Sequence, residues 1–186
     1  MKKGILDEAL TYLAGSIDYA PDDGVGWREK IKAGIKSRNI NLSILDPTKK
    51  FGNLKSESKE EKELHFSLKE QKKYDELTMY MKKIVRQDLR QIDFCDFLIA
   101  KIDVSIHSCG TYHEIILADN QHKPVLLIVE GGKNNCPSWL FGILDHNLMF
   151  NSEIELLNFL NEVNNGKMEI GDKWILFRKE IKGILD

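Results

Sequence analysis

The sequence predicts a three-layer α/β fold with a mostly parallel sheet, and three observations support this prediction. Strand-like apolar runs alternate with segments whose apolar residues recur at helical spacing, as in βαβ units. Two runs, at residues 94–102 and 124–129, are almost continuously apolar, which is typical of strands buried on both faces of a parallel sheet. The chain has 186 residues, a length usual for one domain. We therefore expect a single domain over residues 1–186 with right-handed crossovers.

The first part of the chain predicts a βαβ unit. Residues 9–16 are a short apolar run that ends in a Gly-Ser pair, and an acidic loop rich in turn residues follows at 18–24. From Trp27 onwards, apolar residues recur at helical spacing. Residues 42–45 predict a second short strand, which an Asp-Pro pair ends.

A charged insertion, residues 49–73, follows this unit. It is rich in Lys and Glu and poor in apolar residues, which predicts a solvated loop or a mobile excursion. The alternative is a lid over a functional site, because long loops in compact domains are often functional. Apolar residues from Tyr74 to Ile92 then recur at helical spacing and predict a long amphipathic helix.

The second half of the chain continues the alternation. A helix at 111–120 separates the two buried strands, and the sequence Ser-Glu-Ile-Glu from Ser152 is a capping box that predicts the start of another helix. Residues 173–177 predict an edge strand or packing segment, within a C-terminal arm at about 167–186.

The composition restricts the function. The chain is 42% hydrophobic and 30% charged, as in an ordinary globular protein, and its net charge of −2 does not favour binding to a nucleic-acid polymer. It has no apolar run long enough to span a membrane and no pattern of a signal peptide. The three cysteines, Cys95, Cys109 and Cys136, lack CxxC spacing, so we expect free thiols, no metal site and a cytoplasmic location.

Polar and glycine residues at three predicted strand ends indicate a ligand site. They lie at 12–16, at Asp96 with the later segment 107–111, and at 130–132, and we expect all three to meet on one edge of the sheet. The helix that starts near Ser108 favours an anion or a polarised oxygen there. The absence of GxxxxGK[ST] and GxGxxG motifs argues against an NTPase or a dinucleotide-binding dehydrogenase.

Three side chains near these strand ends could carry chemistry, although each also has a structural interpretation. Glu114 follows the helix start and could act as a nucleophile or merely complement the helix dipole. Asp96 lies in an apolar run, where a buried carboxylate needs a partner, but it could instead face solvent. Tyr12, taken alone, is more typical of a core aromatic residue.

Seven features follow one another within residues 9–163: YLAGS at 12–16, GWR at 26–28, LDP at 45–47, DLRQI at 88–92, Asp96, SCGTYHE at 108–114 and KPV at 123–125. Their order resembles that of the nucleoside 2-deoxyribosyltransferase family and of the related 2′-deoxynucleoside 5′-monophosphate N-glycosidases. The resemblance implies a flavodoxin-like fold with a five-stranded sheet. It also implies cleavage of the N-glycosidic bond of a small-molecule nucleoside or nucleotide.

The resemblance assigns the roles of the three side chains. Glu114 matches the nucleophile, Asp96 the residue that handles the proton on the base, and Tyr12 the residue that orients the nucleophile. These roles agree with the chemistry, because a carboxylate can trap an oxocarbenium-like sugar and a leaving base needs a proton. If water resolves the intermediate the enzyme is a hydrolase, and if a second base does so it is a transferase. No metal or cofactor is implied.

We also expect substrate contacts from Gly15, Ser16, Asp18, Ser108, Gly110, Thr111, Asn147 and Met149. The last two lie in a segment, 145–149, that resembles a loop reaching into a neighbouring subunit, so we expect a homo-oligomer. Trp27 could stack on a base, although the first apolar residue of a helix is more often part of the core.

The 5′ group of the substrate stays open. Ser108 stands where the transferases have an aspartate that contacts the sugar, and a serine there resembles the nucleotide hydrolases. Those hydrolases, however, carry an arginine where this chain has Asp18, and the acidic loop would repel a phosphate. A catalytically inactive nucleotide-binding module on the same fold is the alternative function.

Overall fold

The computed structural model describes residues 4–49, 59–168 and Trp174. It contains a five-stranded sheet in which every strand pair is parallel, with helices on both faces. The strands are β1 Leu10–Gly15, β2 Ser43–Leu45, β3 Phe97–Ile102, β4 Val125–Val129 and β5 Met149–Phe150. The helices are α1 Val25–Ser37, α2 Lys59–Glu70, α3 Tyr74–Phe94, α4 Cys109–Asn120, α5 Ser138–Phe141 and α6 Glu153–Asn164.

The strand order is β2-β1-β3-β4-β5, the flavodoxin-like order. This confirms the predicted α/β architecture. The order reverses between β1 and β3, because β1 connects outwards to β2 and the chain then returns to the other side of β1. Such a reversal opens a crevice at the carboxyl ends of the two strands, and ligands of open α/β sheets bind there.

Alternation along the strands divides the core into two halves. On β1, Leu13 packs with α1 and α6 on one face of the sheet, whereas Tyr12 packs towards α3 and α4 on the other. On β3, Ile99 and Leu98 divide in the same way. Side chains on even positions of β1 therefore point towards the helices that carry the candidate site.

The third strand starts later than the sequence predicts. Phe94 is the last residue of α3 and is 71% exposed, and β3 begins only at Phe97. Asp96 therefore precedes the strand and lies at the amino edge of the sheet, where its N–H donates to the carbonyl of Leu10 at 2.7 Å. The prediction that all three groups of strand-end residues meet on one edge is wrong for Asp96.

The loop prediction for the insertion is wrong over residues 59–70, which form α2. A buried stripe explains the helix: His65 and Leu68, one turn apart, are 6% and 7% exposed, and the helix packs against α3. The many Lys and Glu residues are good helix formers and concealed this spacing. Residues 50–58 of the insertion lie outside the described part of the chain.

Two further elements bear on the sequence predictions: β5, whose position the sequence does not indicate, and the segment at 173–177. The fifth strand is β5, which pairs with Leu127 and Ile128 and is too short to show a pattern in the sequence. The predicted strand or packing segment at 173–177 lies outside the described residues except for Trp174, whose ring lies 5.2 Å from that of Phe97. Among the described residues, no helix combines the length and the apolar character that crossing a bilayer requires.

Candidate active site

A cavity of about 400 Å³ opens at the crevice between β1, α3 and α4. Its walls come from the end of β1 and the following loop, from Pro47 two residues after β2, and from α2, α3 and the start of α4. The lining residues that matter here are Tyr12, Gly15, Ser16, Asp18, Pro47, His65, Met81, Ile84, Asp88, Ser108, Gly110, Thr111 and Glu114. Most of the predicted site residues therefore come together in one place.

Glu114 and Tyr12 form a hydrogen bond inside this cavity. The phenol Oη of Tyr12 donates to Oε1 of Glu114 at 2.9 Å, and Tyr12 is fully buried. Since α4 begins at Cys109, Glu114 lies beyond the first turn and does not cap the helix. The dipole-complementing interpretation of Glu114 is therefore not supported, whereas a carboxylate oriented by a tyrosine is what nucleophilic catalysis needs.

Two buried serine hydroxyls face the cavity at its carboxyl-edge end. Ser16 follows β1, and Ser108 is the N-cap residue of α4, although its side chain makes no capping bond. Within the described part of the chain, neither Oγ has a hydrogen-bond partner. Buried hydroxyls without partners are costly, so these two groups are suited to a polar substituent of a ligand. The free N–H groups at the start of α4 add a preference for an anion.

Gly110 and Thr111, in the first turn of α4, line the same end of the cavity. A Cβ at Gly110 would meet nothing within 4 Å, so the space beside this backbone is open. Thr111 is 4% exposed and supports the first turn. Asp18 also lines the cavity, so one carboxylate stands near the position where an anionic group would bind.

Gly15 and Trp27 serve packing more than ligand contact. A Cβ at Gly15 would come within 2.7 Å of Cζ2 of Trp27, because the indole lies against the end of β1. Trp27 is 8% exposed and belongs to the α1 face of the core. It lines a separate, smaller cavity of about 230 Å³, not the cavity of Glu114, so the structure does not bring it to the nucleophile.

Arg28 fixes the turn after β1, a role that the GWR motif at 26–28 did not predict. Its guanidinium is completely buried and donates to the carbonyls of Leu13, Gly15 and Gly24, the last two at 2.9 and 2.7 Å. Asp46 lies 3.7 Å from its Nε. A buried arginine that donates to three backbone carbonyls holds the loop that carries Ser16 in one conformation.

Asp96 is not part of the cavity. Its Oδ2 accepts a 2.7 Å hydrogen bond from the N–H of Leu10, at the amino-terminal end of β1. The side chain is 6% exposed and ties the starts of β1 and β3 together. This contact suits a structural role, and the proton-handling role of Asp96 stays a prediction.

Asp88 is the carboxylate that lines the cavity together with Glu114. It is 7% exposed and lies on α3, with the amide of Gln91 at 3.4 Å from its Oδ1. The sequence contains a signal for it: Asp88 falls four residues from both Ile84 and Ile92, within the apolar stripe of the helix. Burying a carboxylate is costly without polar contacts, and Asp88 lines a ligand cavity instead of a closed apolar core.

Asn147 and Met149 lie away from this cavity. Asn147 is exposed, and its N–H donates to the side chain of Asp145 at 2.9 Å. Met149 is 1% exposed and lies in β5, inside the α3 and α4 half of the core. Their predicted contact with a neighbouring subunit's substrate stays a prediction. Among the described residues, no group of three metal-ligating side chains could hold a metal ion.

Comparisons with known proteins agree with this arrangement. The family model described as nucleoside 2-deoxyribosyltransferase matches residues 11–158, which is well over half of the chain. No curated protein sequence gives a match.

The comparison with solved structures gives three matches of note, two of them with a TM-score above 0.5. The 2-deoxyribosyltransferase of the psychrotolerant bacterium Bacillus psychrosaccharolyticus superposes with a TM-score of 0.53 at 16% identity, covering 81% of this chain and 91% of that one. A conserved protein from Enterococcus faecalis V583 gives a TM-score of 0.51 at 14% identity, covering 86% and 99%. The CMP N-glycosidase of Clostridium botulinum gives 0.46 at 17% identity, covering 82% and 98%.

At these identities the structures show a shared fold, whereas the family match extends over the cavity residues from Tyr12 to Glu114. Sequence and architecture thus lead to the same conclusion: the chain belongs to the nucleoside 2-deoxyribosyltransferase family and is an enzyme of the nucleoside glycosyl-transfer kind.

Proposed function

We propose that this protein cleaves the N-glycosidic bond of a nucleoside 5′-monophosphate through a covalent intermediate on Glu114. The observation that carries the proposal is the bond between Tyr12 and Glu114 in a cavity that also holds a buried second carboxylate, Asp88. Family membership supports the reaction type.

The proposed first step transfers the sugar to the enzyme. A carboxylate oxygen of Glu114 attacks C1′ as the C1′–N bond breaks, and the base leaves with the bonding electron pair. Asp88, in its protonated form, delivers a proton to the departing base. The hydroxyl of Tyr12 holds the other carboxylate oxygen in place, so the nucleophile does not have to be oriented during the reaction.

The second step releases the sugar. Water attacks C1′, the bond to Glu114 breaks, and the carboxylate is regenerated; a second base in place of water gives transfer instead of hydrolysis. Asp88, now deprotonated, accepts the proton of the attacking water or base. Product analysis with and without an added acceptor base separates the two outcomes.

The two serine hydroxyls support a 5′-phosphate over a 5′-hydroxyl. Ser16 and Ser108 offer two donors beside the N-terminus of α4, and a phosphate offers several acceptor oxygens. Asp18 opposes this charge, so we expect the carboxylate to make the phosphate affinity modest and dependent on salt.

The test is release of free base, measured by chromatography, from a panel of ribo- and deoxyribonucleosides and their 5′-monophosphates. We expect activity on monophosphates, and its loss in Glu114→Ala. A 2-fluoro-substituted nucleotide that slows the second step should leave the sugar phosphate attached to the peptide containing Glu114, as an added mass. If the wild-type protein releases no base, or if Glu114→Ala is as active as wild type, the proposal fails; nucleotide binding without turnover would identify the inactive binding module.

A further inference from the structure

His65 reaches the cavity from α2, the helix of the charged insertion. Its side chain is 6% exposed, and it lines the cavity beside Pro47, Met81 and Ile84. Its imidazole packs edge-on against the ring of Tyr80, with ring centroids 4.8 Å apart and planes inclined at 68°. Histidine is uncommon in a buried helix stripe, and here the stripe faces a ligand cavity instead of a closed core.

Contacts with the loop after β1 fix the position of α2. Nζ of Lys62 lies 2.6 Å from Oδ1 of Asp23, in the loop after β1, and 3.4 Å from the carbonyl of Ile17. The ring of Phe66 packs edge-on against that of Tyr19 in the same loop, at 6.2 Å. The helix thus spans from α3 to the β1 loop and holds His65 in the cavity wall.

The chemistry of the substrate determines which part of it meets His65. In a β-nucleotide, the base at C1′ and the 5′ group at C4′ extend from different carbons on the same face of the sugar ring, and a nucleophile attacks C1′ from the other face. If the 5′ group lies at Ser16 and Ser108, and C1′ lies at Glu114, the base must extend towards the remaining wall. That wall consists of Pro47, α2 and α3, and it carries His65 and Asp88.

We infer that His65 determines base specificity by hydrogen-bonding the polar edge of the leaving base. This inference rests on the proposed function and concerns one end of the same cavity. An imidazole can donate from one ring nitrogen and accept at the other, so it complements a base whose edge carries an exocyclic oxygen or amino group. A base without such a group would leave a buried polar contact unmade and would be selected against.

The experiment compares three substitutions at one position. His65→Ala removes the ring, His65→Phe keeps a ring against Tyr80 but removes both nitrogens, and His65→Gln restores hydrogen-bonding atoms without the ring. His122→Asn is the matched control, because His122 is exposed, lies after α4 outside the cavity, and has a positive φ of 58° that asparagine tolerates. kcat/KM is measured for the five common nucleoside 5′-monophosphates and for the monophosphate of unsubstituted purine.

We expect His65→Ala and His65→Phe to lower kcat/KM by about 10- to 100-fold for the preferred base. The value for unsubstituted purine should change far less, His65→Gln should recover part of the loss, and His122→Asn should match wild type. The inference would be overturned if kcat/KM fell equally for every base, or if His65→Phe kept the wild-type kcat/KM. Either result would assign His65 a packing role.

Calorimetric binding of the free bases to wild type and to the same variants keeps this inference separate from the proposed function. An inactive wild-type protein that binds a base through His65 would refute the catalytic proposal and retain the specificity role. Base binding that is the same in wild type and His65→Phe would refute the specificity role alone.

Discussion

The phenol of Tyr12 and the carboxylate of Glu114 meet across 2.9 Å although 102 residues separate them in the chain. One comes from the interior strand β1 and the other from α4, so the packing of α4 on the sheet sets their distance. We expect Tyr12→Phe to lower kcat by about 10- to 100-fold, because the nucleophile loses its orienting donor, with little change in KM. Steady-state kinetics of base release would measure this.

The matched control for Tyr12→Phe is Tyr112→Phe. This substitution also removes one phenolic hydroxyl, but Tyr112 packs beside the core from the body of α4 and is not part of the cavity wall. Equal losses in the two variants would contradict a specific role for the Tyr12 hydroxyl.

Asp88→Asn should slow catalysis by about 100-fold for natural bases, because the departing base loses its proton donor. The loss should be much smaller for a sugar phosphate with a nitrophenolate leaving group, which needs no proton. Comparing kcat on the two substrates would measure the difference. A similar loss on both would show that Asp88 does not handle the proton.

Asp96→Ala should lower the free energy of unfolding instead of slowing catalysis. The N–H of Leu10 would lose a buried acceptor, which costs about 1–3 kcal/mol in the free energy of unfolding. Urea denaturation would measure this cost. We expect kcat per folded molecule to stay within a few-fold of wild type; a specific collapse of kcat in a stable Asp96→Ala protein would instead return the proton-handling role to Asp96.

Asp46 should make the stability of the protein sensitive to acid. Burial opposes the ionisation of this carboxyl, but the hydrogen bonds from Lys32 and Thr48 outweigh it, so its pKa lies below the usual value. A depressed pKa in the folded state means that the ionised group stabilises the fold above the unfolded-state pKa, about 3.9 for an aspartate. This stabilisation is lost as pH falls below about 4 and through the folded-state pKa.

Asp46→Asn removes the titrating group and tests this directly. We expect wild type to exceed the variant in free energy of unfolding at pH 7, and the difference to shrink steadily as the pH falls below about 4. Urea denaturation at a series of pH values would measure it. A difference that is constant with pH would indicate lost packing in place of lost charge interactions.

Much of the fold could be predicted because its signals are local. The continuous apolar runs at β3 and β4 and the helical spacing along α3 depend only on neighbouring residues. The family resemblance likewise identified Tyr12 and Glu114, which the structure brings into contact.

The remaining features depend on contacts between distant segments. Asp96 lies beside apolar residues in the sequence, but only the register of β1 with β3 places it at the amino edge of the sheet. Asp88 and His65 look like ordinary polar residues of charged helices until the helices are packed around the cavity. The two residues of β5 are a strand only because β4 pairs with them.

Where the structure describes the insertion, at residues 59–73, it contributes a wall of the cavity but no strand of the sheet. The two residues proposed to act on the glycosidic bond, Tyr12 and Glu114, stand on β1 and α4, which the whole fold needs, whereas α2 is a peripheral helix between β2 and α3. Evolution can therefore change α2 independently of that residue pair. If His65 selects the base, as we propose, mutations in α2 can change the base preference while the ancestral chemistry, and the sheet that carries it, pass unchanged to descendants.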